Sequence, residues 1–300
     1  MPTFRIPSYC PRRAVALAAI ALATACGGNS TTGSSHEHRG AAPTQTATSS
    51  PMPGMSAGEH HVGAGKGLLA SEDGYALTPA SSTLAVGQQT IRFQVVNPQG
   101  SPQTDYVQDQ TKLLHFYLVR LDLTGYQHLH PAMANGTWSI DVNVPAPGPY
   151  RMYADFVAKD ASGQHHPLVL SKVLTAPGRY TPVQLPPPST TATADGITAT
   201  MSGAVTAGSE SMVTFEVAAG GKPLTDLEPY LESFAHLTAL RAEDAAYRHL
   251  HPETTAMAGE RGGPSLRFSV NFPEKGTWRL FLQVKRAGVL QLLPLTLSVT

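Results

Sequence analysis

The sequence predicts an all-β protein whose folded part is a pair of tandem β-sandwich domains. Two observations carry that expectation. A histidine pattern, H-x12-H-L-H-P, occurs twice at a displacement of 121 residues, as His115, His128, His130, Pro131 and as His236, His249, His251, Pro252. From about Tyr75 onward, short β-branched and aromatic runs alternate with Pro and Gly turns, and no stretch sustains a helical period.

The N-terminus is read as export and anchoring sequence rather than fold. Arg5, Arg12 and Arg13 precede the small apolar run Ala14 to Ala25, whose 12 residues are too few for a membrane-spanning helix, which needs roughly 20. Residues 1–25 therefore read as a signal peptide. Ala23-Thr24-Ala25-Cys26-Gly27 resembles a bacterial lipobox, in which Cys26 is lipidated (a palmitate-type anchor) and becomes the mature N-terminus. Plain secretory cleavage after Ala25 is the alternative, and Arg12-Arg13 as a twin-arginine signal fits its flanks poorly. Residues 26–66 are rich in Gly, Ser, Thr, Ala and Pro, too poor in apolar surface to offset ordering entropy, and read as a disordered tether. Its His36-Glu37-His38, Met52, Met55 and His60-His61 suit copper capture, or are simply part of a polar spacer.

Residues 67–185 are expected to form the first sandwich. Thr90 to Val96 alternates apolar and polar residues, as a half-buried strand does. Leu113 to Leu121 is a longer apolar strand carrying His115, and Tyr126 to His130 follows the Leu123-Thr124-Gly125 turn. Thr137 to Val144 sets Trp138, Ile140, Val142 and Val144 on one face, and Tyr150 to Val157 and Leu168 to Thr175 complete the set. His165-His166 falls where a hairpin loop is expected. Pro186-Pro187-Pro188 marks a stiff linker.

Residues 186–300 repeat this order as the second sandwich. Met212 to Val217 answers the strand around Phe93, and Phe268, Val270 and Phe272 answer Ile140, Val142 and Val144. About seven extra residues follow the second histidine group, near Gly259 to Gly263. A Pro-x-x-Gly-x-aromatic-Arg element recurs at Pro145 to Arg151 and at Pro273 to Arg279. It is reminiscent of the corner where Ig-like domains enter their penultimate strand, so Tyr150 and Trp278 are expected to close one end of each Ig-like core. About seven strands per domain are expected.

Composition narrows the chemistry. Lys+Arg and Asp+Glu both number 21, so no basic patch argues for nucleic acid. Removing residues 1–25 takes Lys+Arg to 18, a formal charge of −3. The two cysteines, Cys10 and Cys26, leave the folded part without disulfides, thiolate metal sites or cysteine nucleophiles. No G-x-S-x-G elbow, P-loop or Rossmann glycine pattern is present, and no general acid or base accompanies the histidines in both copies: Glu253 in the second is Ala132 in the first. A non-catalytic protein is expected.

The histidines therefore hold what chemistry there is. In a strand, residues i and i+2 share a face, so His128 and His130 project together, with His115 on the preceding strand. Three imidazoles with an open fourth position suit Zn(II) or Cu(II). His115, His128 and His130, and His236, His249 and His251, are the candidate ligands; Met133 and Met257 are softer additions. The alternative is structural. His115 shares an apolar face with Leu113, Tyr117, Val119 and Leu121, where a neutral imidazole bonded to a carbonyl or to Asp105 would brace the fold.

Leu114 to Leu123, Gln127-His128-Leu129-His130-Pro131, Gly148-Pro149-Tyr150-Arg151, Leu227 to Leu231 and Arg248-His249-Leu250-His251-Pro252 resemble a family of exported or lipid-anchored proteins of high-GC Gram-positive bacteria. The family carries tandem H-x-H-P β-sandwiches and is loosely similar to copper- and heavy-metal-associated extracytoplasmic β-sandwich proteins. The resemblance covers residues 75–300 and implies an extracytoplasmic location with a link to copper handling. The expectation is a membrane-anchored copper- or zinc-binding protein that sequesters the ion or passes it to a metal-handling partner. The alternative is a structural or interaction lipoprotein whose histidines only brace the fold.

Overall fold

Alternating burial along short β-prone runs gives strands, and among the described residues no helix occurs. The computed structural model describes residues 66–250 and 252–300. The expected signal peptide, Cys26, the tether motifs and His251 lie outside the described residues.

The N-terminal part contributes β1 (Ser71–Glu72), β2 (Tyr75–Pro79), β3 (Gly87–Val96), β4 (Tyr106–Val107), β5 (His115–Arg120), β6 (Gln127–Leu129), β7 (Ala132–Ala134), β8 (Thr137–Val144), β9 (Gly148–Lys159) and β10 (His165–Ala176). One sheet runs β1-β2-β3-β8-β7; the other runs β10-β9-β5-β6, with β4 on β9. The C-terminal part contributes β11 (Thr191–Ala194), β12 (Ile197–Ser202), β13 (Glu210–Ala219), β14 (Lys222–Pro223), β15 (Ala235–Arg241), β16 (Tyr247–Leu250), β17 (Ser265–Asn271), β18 (Gly276–Arg286) and β19 (Val289–Val299). Its sheets are β11-β12-β13-β14, with β17 on β13, and β16-β15-β18-β19. The seven strands expected per domain are thus ten and nine, the surplus being pieces of two to four residues.

Each sandwich has its own core. Phe93, Phe116, Trp138 and Tyr150 pack in the first, and Phe215, Phe268, Phe272 and Trp278 in the second. The repeated corner element does what its sequence predicts. Tyr150 Oη donates to the Ala146 carbonyl at 2.8 Å, and Trp278 Nε1 donates to the Glu274 carbonyl at 3.2 Å. Residues 177–190 hold no strand. They are clamped by the buried Arg120–Asp122 pair, through the Thr181 carbonyl and the Val183 N–H.

Strand β5 is buried at every position, which a strand on the outside of a sandwich would not be. Phe116 and Leu118 point into the first core. Tyr117 and Val119 point the other way, into a third cluster with Tyr126, Tyr153, Leu240, Tyr247 and Phe281. The apolar stripe bearing His115 is therefore the seam between the two sandwiches, not a sandwich interior.

The seam has an internal two-fold logic. Tyr126 stacks on Phe281 at 4.0 Å and 5°, and Tyr247, which lies 121 residues later, stacks on Tyr153 at 5.2 Å and 29°. The segment leading into β1 closes one side: the Tyr247 N–H donates to the Lys66 carbonyl, and the Ser171 N–H to that of Leu69. A side chain at Gly67 would meet Tyr247 Cβ at 3.0 Å and Val169 Cγ1 at 3.1 Å, and φ there is +67°. Only glycine passes this gap between the two halves.

Truncating a buried aromatic on one side of this seam is expected to be costly. Phe281→Ala should destabilise the protein by about 3–5 kcal/mol and resolve a single denaturant transition into two. Circular dichroism through a denaturant titration reads both effects.

Candidate metal centre

The geometry of the seam brings the described members of the two histidine groups into one cluster. His115 opens β5 and His128 sits in β6, in the adjacent strand; His130 follows just past the end of β6. His236 lies in β15 and His249 in β16. Ring centroids are 5.4 Å apart for His115–His128, 5.1 Å for His115–His130 and 4.9 Å for His128–His130. Across the seam, His249 lies 5.2 Å from His115 and 5.8 Å from His128, while His236 lies 6.0 Å from His128. Five imidazoles thus share one pocket of the seam.

Each first histidine is anchored by a tight turn. Asp109 and Lys112 exchange backbone hydrogen bonds, as do Tyr230 and Ser233, 121 residues on. Gln110 and Thr111 have φ of 45° and 67°, and Leu231 and Glu232 have 54° and 62°. Two successive left-handed residues make a type I′ turn, usually built with Gly or Asn, and holding non-glycine residues there stores strain. The turns aim one carbonyl each inward. His115 Nε2 donates to Asp109 O at 3.2 Å, and His236 Nε2 to Tyr230 O at 2.8 Å. The carbonyl expected for His115 is therefore Asp109's; Asp105 instead pairs with Lys159 at 3.7 Å.

The second histidines are held from the opposite sandwich. His128 Nδ1 meets Gln283 Oε1 at 2.8 Å, and His249 Nδ1 donates to Asp155 Oδ2 at 3.2 Å. Asp155 stands in register with His115, and Gln283 with His236, so the two exchanges are equivalent. Tyr247 Oη also donates to Asp155 at 3.0 Å, and Tyr117 stacks on His128 at 4.3 Å and 16°.

Burial favours the neutral form of His128, His130 and His236. It is the largest cause holding His128 well below the usual histidine value, reinforced by the imidazoles of His115, His130 and His236. The same burial takes His130 to about 3, and His236 to about 4 against the opposing bond to Tyr230 O. A neutral imidazole has one N–H and one lone pair. With Nε2 of His115 donating to a carbonyl, its Nδ1 carries the lone pair. With Nδ1 of His128 donating to Gln283 Oε1, its Nε2 carries the other. These two atoms face each other at 3.1 Å.

His130 completes the group. One nitrogen each from His115, His128 and His130 lie within 4.8 Å of one another. Four-coordinate zinc with bonds of 2.0–2.1 Å sets ligand nitrogens about 3.3 Å apart. Closing the trio to that spacing therefore needs at most about 1.5 Å. His130 Nε2 is buried without a hydrogen-bond partner among the described residues. His130 also lines a cavity of about 310 Å³ with Lys112, Met133 and Trp138, which gives the trio a route to the surface.

The remaining candidates differ in placement. Met133 lines that cavity and packs on the first core, whereas Met257 is 71% exposed. His165 and His166 begin β10, in register with Lys159 and Ala158, rather than lying in the hairpin loop expected. His166 Nε2 donates to Asp160 at 3.0 Å beside a separate cavity lined by Asp73, Tyr75 and Asp105. Sequence reasoning missed Gln283, Asp155, Tyr126 and Tyr247. The tyrosines had a signal, since they precede His128 and His249 by the same two residues.

A family profile described as a domain of unknown function, DUF8832, matches residues 70–169 and 192–300, one histidine group in each segment. The chain belongs to the DUF8832 family. No curated protein matches this DUF8832 chain. Among solved structures it is similar to a Corynebacterium diphtheriae protein described as membrane anchored, at 11% identity, TM-score 0.21, 76% of this chain and 57% of that one. It is also similar to a Salmonella alpha-2-macroglobulin variant, at 12% identity, TM-score 0.25, 80% of this chain and 16% of that one. The D0-D1 domain of intimin follows at 11% identity, TM-score 0.18, 74% of this chain and 97% of that one. The chain thus spans little more than half the length of the first of these and about a sixth of the second.

The buried imidazoles dictate a pH response. A histidine whose pKa is lower in the folded state binds protons more readily when unfolded. Its contribution is whole above the unfolded value of about 6.5 and is lost as pH falls toward the folded values of about 4 and about 3. With three such groups, stability should fall by up to about 4 kcal/mol per pH unit below pH 6. Denaturant titrations at stepped pH read this slope, and a flat profile would contradict neutral burial.

Proposed function

We propose that this protein is a lipid-anchored, extracytoplasmic metal-binding protein that sequesters or delivers copper, or zinc, without catalysing a reaction. One observation carries the reading. His115 Nδ1 and His128 Nε2 face each other 3.1 Å apart with His130 beside them. In the tautomer in which His128 Nδ1 donates to Gln283 Oε1, both atoms present lone pairs, and a shared cation turns their repulsion into coordination. An all-imidazole set suits Cu(II) and Zn(II). Three ligands leave a fourth position for water or for a group from a receiving protein.

A second reading has its own support. The His128–Gln283 and His249–Asp155 bonds join the sandwiches without any ion, as bracing histidines would. Calorimetric titration of residues 67–300, free of the His- and Met-bearing tether, with Cu(II) and Zn(II) separates the two. The metal reading expects submillimolar binding that His128→Ala abolishes and His166→Ala leaves intact, with Trp138 fluorescence quenched by Cu(II). Absence of binding, together with a metal-independent loss of stability in His128→Ala and His249→Ala, would leave only the bracing role. The anchor has a separate test: Cys26→Ser should abolish acyl-chain labelling and release the protein from membranes.

A further inference from the structure

The amide of Gln283 can exchange its donor and acceptor ends without moving the chain. Its –NH2 and carbonyl are alike in shape, so both orientations fit the same buried space. With Oε1 toward His128, Nδ1 carries the hydrogen and Nε2 presents a lone pair to His115 Nδ1. Turned over, the amide N–H donates to His128 Nδ1. The hydrogen of His128 then sits on Nε2 and makes an ordinary N–H···N bond to His115. The first state offers two lone pairs to a cation; the second satisfies the pair with no ion. The carbonyl of Asp109, which only accepts, keeps His115 unchanged in both.

Resting on the metal reading above, we propose that Gln283, contributed by the second sandwich, is the positioning residue of the first sandwich's metal site. Its amide sets the tautomer of His128 and reverses when an ion enters. The site is then a joint property of both halves, although its three ligands all come from one. Asp155, at the equivalent place beside His249, is a carboxylate and has no such second orientation.

The test uses the full chain with Zn(II) as probe. Long-range proton–nitrogen correlation of the imidazoles should place the His128 hydrogen on Nε2 without zinc and on Nδ1 with it. Gln283→Glu, which can only accept, should bind zinc as tightly as the parent or more so. Gln283→Leu should weaken binding about 10–100-fold, as loss of an outer-shell partner does. The same His128 tautomer in both states, or Gln283→Leu binding as the parent does, overturns this proposal while the metal site stands. No zinc or copper binding by the parent overturns the metal reading and this proposal with it. The tautomer measurement needs no variant, so it decides the matter even where Gln283→Leu fails to fold.

Discussion

Packing five imidazoles between two sheets, four of them buried, makes hydrogen-bond satisfaction the constraint on which this structure turns. An imidazole removed from water must place both a donor and a lone pair, and a second ring beside it competes for the same partners. The chain meets the first demand with backbone: two strained turns each aim a carbonyl at the Nε2 of a first histidine. It meets the second by exchange across the seam, where Gln283 serves His128 and Asp155 serves His249. The sandwiches are thereby fixed in one register, because sliding either would leave buried polar atoms without partners. Aromatic stacking of Tyr126 on Phe281 and Tyr247 on Tyr153 fills the rest of the seam.

Much of the fold was legible from the chain. The strand around Phe93, the Trp138 face and the corners at Tyr150 and Trp278 all follow from alternation and turn chemistry, which are local. That His128 and His130 share a face was also legible from strand alternation, whereas His115, on an apolar stripe, read equally as their partner and as a core brace. What lay against the apolar face of β5 was not legible. Periodicity shows that Tyr117 and Val119 are buried but is silent on the partner surface, so the stripe read equally as a sandwich interior. For the same reason the two histidine groups read as separate features of separate domains. Gln283 and Asp155 were invisible because they sit on return strands, displaced by 128 residues rather than 121 after the longer second loop.

The repeat is not symmetric in chemistry. Where one half offers His128 an amide that can face either way, the other offers His249 a carboxylate that can only accept. Where one has Tyr153 bonded through its hydroxyl to the Ala245 carbonyl, the other has Phe281. Such differences at equivalent positions mean that the two histidine groups, though copies in spacing, sit in different electrostatic surroundings. Only the first is described with all three of its members and with a cavity at its edge.

The short segment from Lys66 to Leu69 has a mechanical consequence. Its carbonyls accept from Tyr247 in one sandwich and from Ser171 and Arg151 in the other, and Gly67 threads the gap between them. Tension applied through the chain before Lys66 would therefore be shared by both sandwiches at once, as shear along hydrogen bonds on either side. It would not first unzip one sandwich and then the next. A molecule held by its N-terminal end would bear load as a single body.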